Sequence, residues 1–170
     1  MNAIERYTSS LAGYCVITYV LDIGDRHFDN ILMKQSGEIF HVDFSFAFGK
    51  DPKPFKCRMR ITMEMVVAMG GLQSPVYERF LTLISAGFQV LRKNAGMLMH
   101  VLTMMMEANI TDLTVRQKGP EVMASTLELL QLHLSEEEAN KYIRNVVNES
   151  LNAVMPSMLE RMHRLANAFR

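Results

Sequence analysis

Apolar residues fall along this chain first in one long run, then in two short ones, then with helical spacing. Leu11 to Leu21 is almost continuously apolar. Val16, Ile17 and Val20 lean toward strand, but the length of residues 1–23 favours a buried helix, and periodicity alone leaves the two open. Ile31-Leu32-Met33 and Ile39-Phe40-His41-Val42 flank Lys34-Gln35-Ser36-Gly37-Glu38, the pattern of a β-hairpin with Gly in its turn. Residues 45–60 hold two Pro and only short apolar islands, so a loop is expected there.

Beyond it the spacing turns helical. Thr62 can cap a helix over 63–69 that Gly70-Gly71 ends. Pro75 suits the first turn of a longer helix through Arg92. Asn94-Ala95-Gly96 breaks that helix ahead of a Met-rich one over 97–107. Residues 109–120 read as a connector, followed by a helix over about 121–132. Ser135 and Glu138 spell a capping box that opens a helix running past Leu151. Pro156 is expected to kink or split it, leaving a last helix over 157–170. The expected fold is mainly α with a small β-hairpin.

Composition narrows the class. At 170 residues and 49% apolar, the chain is long enough for one domain with a real core, and it is not a disordered chain. Its formal charge is zero, so no global field steers it to nucleic acid. Cys15 and Cys57 are too few for a disulfide framework and lack zinc-site spacing, which suggests a reduced, intracellular protein. Arg6 ahead of the apolar run mimics a signal peptide, but Asp22-Ile23-Gly24-Asp25 follows in place of a cleavage site. The run is also too short to span a bilayer. The 15 Met suggest an adaptable core.

The chemistry concentrates in residues 24–55, where Asp25, Asp29, Asn30 and Asp43 gather near His27 and His41. Taken alone, these residues read first as turn and strand-end polar groups, because Asp and Asn hydrogen-bond locally in turns. A metal and proton-transfer site is the alternative. A zinc set of His27, His41 and Asp43 ranks low, because no convincing third-ligand motif supports it.

"GDRHFDN" followed by "FHVDFSFAFGKDPKPF" resembles the catalytic and activation loops of phosphatidylinositol 3-kinases, those of class III above all. "AGYCVITYVL", "EMVVAMGG" and "LSEEEANKYIRNVVNES" extend the resemblance, in order, over nearly the whole chain. It implies the C-lobe of a protein-kinase-like lipid kinase fold as one domain over 1–170, a partial catalytic domain. Within it the catalytic loop is 24–31, the activation loop 43–62, and a membrane-proximal helix 157–170. It also implies transfer of the ATP γ-phosphate to the 3-hydroxyl of phosphatidylinositol. Asn30 and Asp43 would hold Mg2+ or Mn2+ with the nucleotide, consistent with magnesium's preference for a few hard oxygen ligands. His27 would handle the inositol proton, since imidazole titrates near neutrality. Asp25 would orient the loop or His27, and Arg26 would hold a phosphate or pair with an acid. Asp29 reads as loop-shaping, and His41 as a packed residue.

Lys50, Lys53, Lys56, Arg58 and Arg60 place five bases in 11 residues. By resemblance this basic loop meets the lipid headgroup, and bases near an anionic surface attract it. Met158, Leu159, Met162, Leu165, Ala166 and Phe169 form one stripe of the last helix, with Arg161, His163, Arg164 and Arg170 outside it. The resemblance favours membrane contact for that stripe, Phe169 included. It further implies adaptor subunits and a cytoplasmic protein peripheral on endosomal or autophagic membranes.

The chain departs from the family in three ways. The acid-Phe-Gly triplet reads Asp43-Phe44-Ser45, and "FKCRMRIT" stands where a Pro-rich stretch is usual. No Gly-rich phosphate-covering loop or strand lysine precedes Gly24, so the chain reads as a C-lobe without its nucleotide-holding N-lobe. It is expected to be inactive by itself. The rival readings are a non-catalytic lipid- or partner-binding module and a protein kinase of the related large-kinase family.

Overall fold

The computed structural model describes residues 2–49, 57–108 and 113–168, and over 113–118 and 154–168 only the course of the helix. Helix α1 (Ala3–Val20) is the element around which the others pack. Asn2 and Glu5 open it with a reciprocal capping box, Asn2 Oδ1 accepting from Glu5 N at 2.9 Å and Glu5 Oε2 from Asn2 N at 2.8 Å. Leu11, Cys15, Val16, Tyr19 and Val20 are all buried, on several sides of the helix. A helix apolar nearly all round shows no amphipathic period, which is why the sequence pattern was ambiguous here. Buried Thr8 and Thr18 satisfy their hydroxyls on the Ile4 and Tyr14 carbonyls one turn back, at 2.7 and 2.8 Å.

Strands β1 (Ile31–Met33) and β2 (Ile39–His41) pair antiparallel, with Ile31 opposite His41, Leu32 opposite Phe40 and Met33 opposite Ile39. The expected hairpin is therefore present. Its turn lies on the start of α1. A Cβ added at Gly37 (φ 105°) would fall 2.3 Å from the Ala3 carbonyl oxygen, so the position requires glycine twice over. Ser10 Oγ accepts from Ile39 N at 3.0 Å and ties β2 to the same helix.

Helices α2 (Met63–Ala68), α3 (Pro75–Lys93), α4 (Ala95–Glu107), α5 (Leu113–Leu129) and α6 (Glu136–Ala168) complete the described elements. Thr62 Oγ1 caps α2 by accepting from Met65 N at 3.4 Å, as its position predicted. Ser74 caps α3 ahead of Pro75, its Oγ accepting from Tyr77 N at 3.0 Å. The Ser135–Glu138 capping box is closed by bonds of 2.9 and 3.3 Å. α3 lies against α1 on one side and α6 on the other, and α4 pairs with α5. Phe80, Ile84, Phe88, Leu130 and Ile143 meet Tyr19 in one buried cluster.

Three expectations are corrected. Asn94 breaks the helix as expected, but the break is that one residue, and α4 begins at Ala95 and not at 97. Gly119-Pro120 is not in a connector but inside α5. A Cβ on Gly119 would sit 2.1 Å from the flexible end of Met106, so this glycine lies where α5 crosses α4. Pro156 likewise does not end a helix, since α6 runs as one element from Glu136 to Ala168. No helix among the described residues is long and apolar enough to cross a membrane.

Candidate active site

The acids and histidines collect at the open end of the hairpin. α1 ends at Leu21, and the chain from Leu21 to Gly24 is laced to the segment after β2. Phe48 N donates to Leu21 O at 3.1 Å, and Gly49 N to Asp22 O at 3.0 Å. A single 3₁₀ turn over Phe28–Asn30 then leads into β1. Val42 N donates to Asn30 O at 2.9 Å, which sets Asn30 beside the end of β2, one residue before Asp43.

Asp22, Asp25 and Asp43 all adopt positive φ, at 47°, 48° and 66°. That conformation costs an L-residue energy, and Asp tolerates it better than most. Backbone strain of this kind collects at functional sites. Asn30 Nδ2 donates to the Asp25 carbonyl at 3.0 Å, which fixes the amide. The His27 ring lies between two carboxylates, Nε2 at 3.5 Å from Asp25 and Nδ1 at 3.6 Å from Asp29. Both distances exceed a hydrogen bond, and Nδ1 is buried without one.

Ser45 stands where the resembled triplet has glycine, and its role is clear. Its hydroxyl donates to Asp43 Oδ1 at 2.6 Å and its backbone N–H to the same oxygen at 3.0 Å. These bonds hold the Asp43 carboxyl below the usual carboxylate range, with smaller help from His41 and His27. The left-handed residue of the triplet is Asp43, so its geometry does not call for glycine at 45.

His41 is packed. Its ring meets Tyr14 at 5.9 Å and Phe44 edge-on at 5.2 Å, and Nε2 lies 3.1 Å from the Asp43 carbonyl oxygen. A carbonyl only accepts, so Nε2 carries a proton. Burial pulls its pKa below the ordinary 6.5, outweighing the bond to Asp43. The zinc alternative is not assembled, since no cluster of three His, Cys, Asp or Glu suited to metal occurs among the described residues. A pH effect follows. The unfolded chain takes up a proton near pH 6.5 that the folded hairpin resists, so stability is full above that pH and is lost as pH falls toward the lowered value. Hairpin amides, corrected for intrinsic exchange rates, are expected to lose protection between pH 7.5 and about 5.5 in wild type and less in a His41→Asn variant.

The remaining expected site residues part ways. Arg26 is 6% exposed and spends its guanidinium on the carbonyls of Cys57 and, at 3.3 Å, Arg58. It thus serves the backbone where phosphate or a carboxylate partner was expected. Arg60 lies over the Phe28 ring at 5.5 Å, and Arg58 donates to Tyr142 on α6 at 3.0 Å. Lys50, Lys53, Lys56 and Phe169 lie outside the described residues, as do the side chains of the tail stripe. The Arg58–Tyr142 bond was not foreseen; no local spacing signals a contact across 84 residues.

The donor set suits magnesium, a hard cation that takes one or two protein oxygens. Asp43 offers an exposed, ionised carboxylate and Asn30 an oriented amide.

The family model described as phosphatidylinositol 3- and 4-kinase matches residues 1–115. The chain is 40% identical over 168 residues to phosphatidylinositol 3-kinase pik3 of Schizosaccharomyces pombe, covering 99% of this chain and 21% of that protein. It is 36% identical over 167 residues to phosphatidylinositol 3-kinase VPS34 of Saccharomyces cerevisiae, covering 98% and 19%. It is 40% identical over 170 residues to the nodule isoform of phosphatidylinositol 3-kinase from Glycine max, covering 99% and 21%. The chain therefore spans about a fifth of the length of these relatives.

Proposed function

Because this chain belongs to the phosphatidylinositol 3- and 4-kinase family, we propose that it is the C-lobe of a class III-type phosphatidylinositol 3-kinase. The observation that carries the reading is that Asp25 holds the Asn30 amide and faces His27 at the open end of the hairpin, where the Val42–Asn30 backbone bond brings the ionised Asp43 alongside. Phosphoryl transfer asks for little else of a C-lobe: positioning, charge neutralisation and a place for one proton.

In this reading Asp43 and Asn30 hold the magnesium of the bound nucleotide, and Asp25 orders both neighbours. Its carbonyl fixes Asn30 and its carboxylate faces His27. His27 takes the proton of the inositol 3-hydroxyl as that oxygen attacks, with the Asp25 and Asp29 carboxylates on either side to stabilise the charged ring. When bound, magnesium neutralises charge developing on the phosphates. Lys50, Lys53 and Lys56 receive the anionic headgroup, and the α6 tail meets the membrane. The nucleotide-covering lobe and adaptor-binding regions belong to the rest of a longer polypeptide working on endosomal or autophagic membranes.

His27→Gln keeps a hydrogen-bonding side chain but not a proton acceptor of suitable basicity. In the full-length polypeptide it is expected to lower kcat for phosphatidylinositol vesicles by about 10²–10⁴-fold with little change in vesicle affinity. An unchanged kcat would remove His27 from the proton transfer.

A further inference from the structure

Residues 57–60, where the described chain resumes after the basic loop, are held at several points. Arg26 takes the carbonyls of Cys57 and Arg58 from inside. Cys15 Sγ reaches the Arg60 carbonyl at 3.8 Å, and Met59 is fully buried. Arg58 itself reaches outward to α6. Its Nη1 donates to Tyr142 Oη at 3.0 Å, Tyr142 and Tyr19 hydroxyls lie 2.9 Å apart, and Tyr19 Oη donates to Leu129 O at 3.2 Å.

Each hydroxyl has one proton, which fixes the sense of this chain. Tyr19 gives its proton to the Leu129 carbonyl, so Tyr142 must donate to Tyr19, and Tyr142 is left to accept from Arg58. A charged donor heads a line in which every hydroxyl donates once and accepts once, an arrangement in which the bonds strengthen one another. It runs from the loop stem through α6 and α1 to the end of α5. The same groups, with Asp22, Glu128 and Gln131, line a cavity of about 360 Å³. Tyr142 is also placed by its ring, stacked on Phe88 at 6.4 Å.

We propose that Arg58 is a positioning residue for lipid substrate: through Tyr142 it locks residues 57–60, which follow the basic loop, to α6. This rests on the lipid kinase reading above. It assigns Arg58 a different part from the surface base that the sequence suggested, and it lies in the "FKCRMRIT" stretch where this chain departs from its family.

The test is a double-mutant cycle in the full-length polypeptide with Arg58→Met and Tyr142→Phe. KM is measured for phosphatidylinositol vesicles and for ATP, alongside amide exchange of residues 57–60. Each single variant is expected to raise lipid KM about tenfold, the weight of one charge-assisted hydrogen bond. The double variant should do no more than either single, ATP KM should stay put, and exchange at 57–60 should rise in all three. Tyr142→Phe leaving lipid KM unchanged while Arg58→Met raises it would reduce Arg58 to a surface charge and overturn the proposal. So would additive effects, or faster exchange with no change in KM. If wild type phosphorylates no lipid, the kinase reading fails; unchanged exchange in both single variants would then separately reject the lock.

Discussion

Replacing Asp43 by Asn in the full-length polypeptide is expected to lower phosphate transfer to phosphatidylinositol on the order of a thousandfold, the scale of losing one preorganised charge-stabilising group. The substitution is nearly isosteric. The Asn oxygen can still accept from the Ser45 hydroxyl and N–H, and the left-handed backbone at 43 suits Asn as well as Asp. What is lost is the negative charge that Ser45 keeps in place. Asp43 is exposed, so folding should change little, and vesicle binding through other residues should persist. A rate within a fewfold of wild type would remove Asp43 from metal binding. Loss of vesicle binding along with activity would point to a binding surface and favour the non-catalytic module.

The largest effect on stability is expected from Phe88→Ala, about 3–5 kcal/mol. Phe88 is fully buried where three helices meet. Its ring stands edge-on to Tyr19 of α1 at 6.0 Å, stacks on Tyr142 of α6 at 6.4 Å, and carries the Arg92 guanidinium at 5.9 Å. Arg92 in turn donates to the carbonyls of Leu130 and Gln131, each at 3.1 Å, closing the turn between α5 and α6. Removing the ring leaves a cavity that these neighbours cannot fill without giving up their own bonds. With a typical domain stable by only about 5–15 kcal/mol, the variant should show a sharply lowered unfolding temperature and poor soluble yield. A shift of a degree or two would mean that the lobe repacks around the gap.

Local chemistry was legible in the sequence wherever the signal was itself local. Thr62 and Ser135 with Glu138 act within a few residues of themselves, and each does what its position predicts. The hairpin and the grouping of His27, Asn30 and Asp43 at its open end follow from the same short-range pattern. The misreadings share a cause as well. Gly119-Pro120 was taken for a connector because local rules make Gly-Pro a breaker. In the fold it lies inside α5, with the Met106 side chain of α4 against the glycine. The family resemblance puts Arg58 at the membrane and Arg26 at a phosphate or a paired acid. Tertiary structure turns one to a tyrosine on α6 and the other to backbone carbonyls. In the sequence Ser45 is only a departure from the family triplet, and the geometry at Asp43 reveals that it orders the carboxylate.

The reading of the hairpin end as a phosphoryl-transfer site for lipid is tested most directly by the product. Full-length polypeptide, magnesium and γ-labelled ATP would be supplied with phosphatidylinositol vesicles and, separately, with peptide. The labelled lipid would then be deacylated and its headgroup resolved by chromatography. One labelled headgroup, phosphorylated at the inositol 3-hydroxyl and absent without magnesium, is the expected result. Label on peptide and none on lipid would make this a protein kinase, and vesicle binding with no label anywhere would make it a binding module.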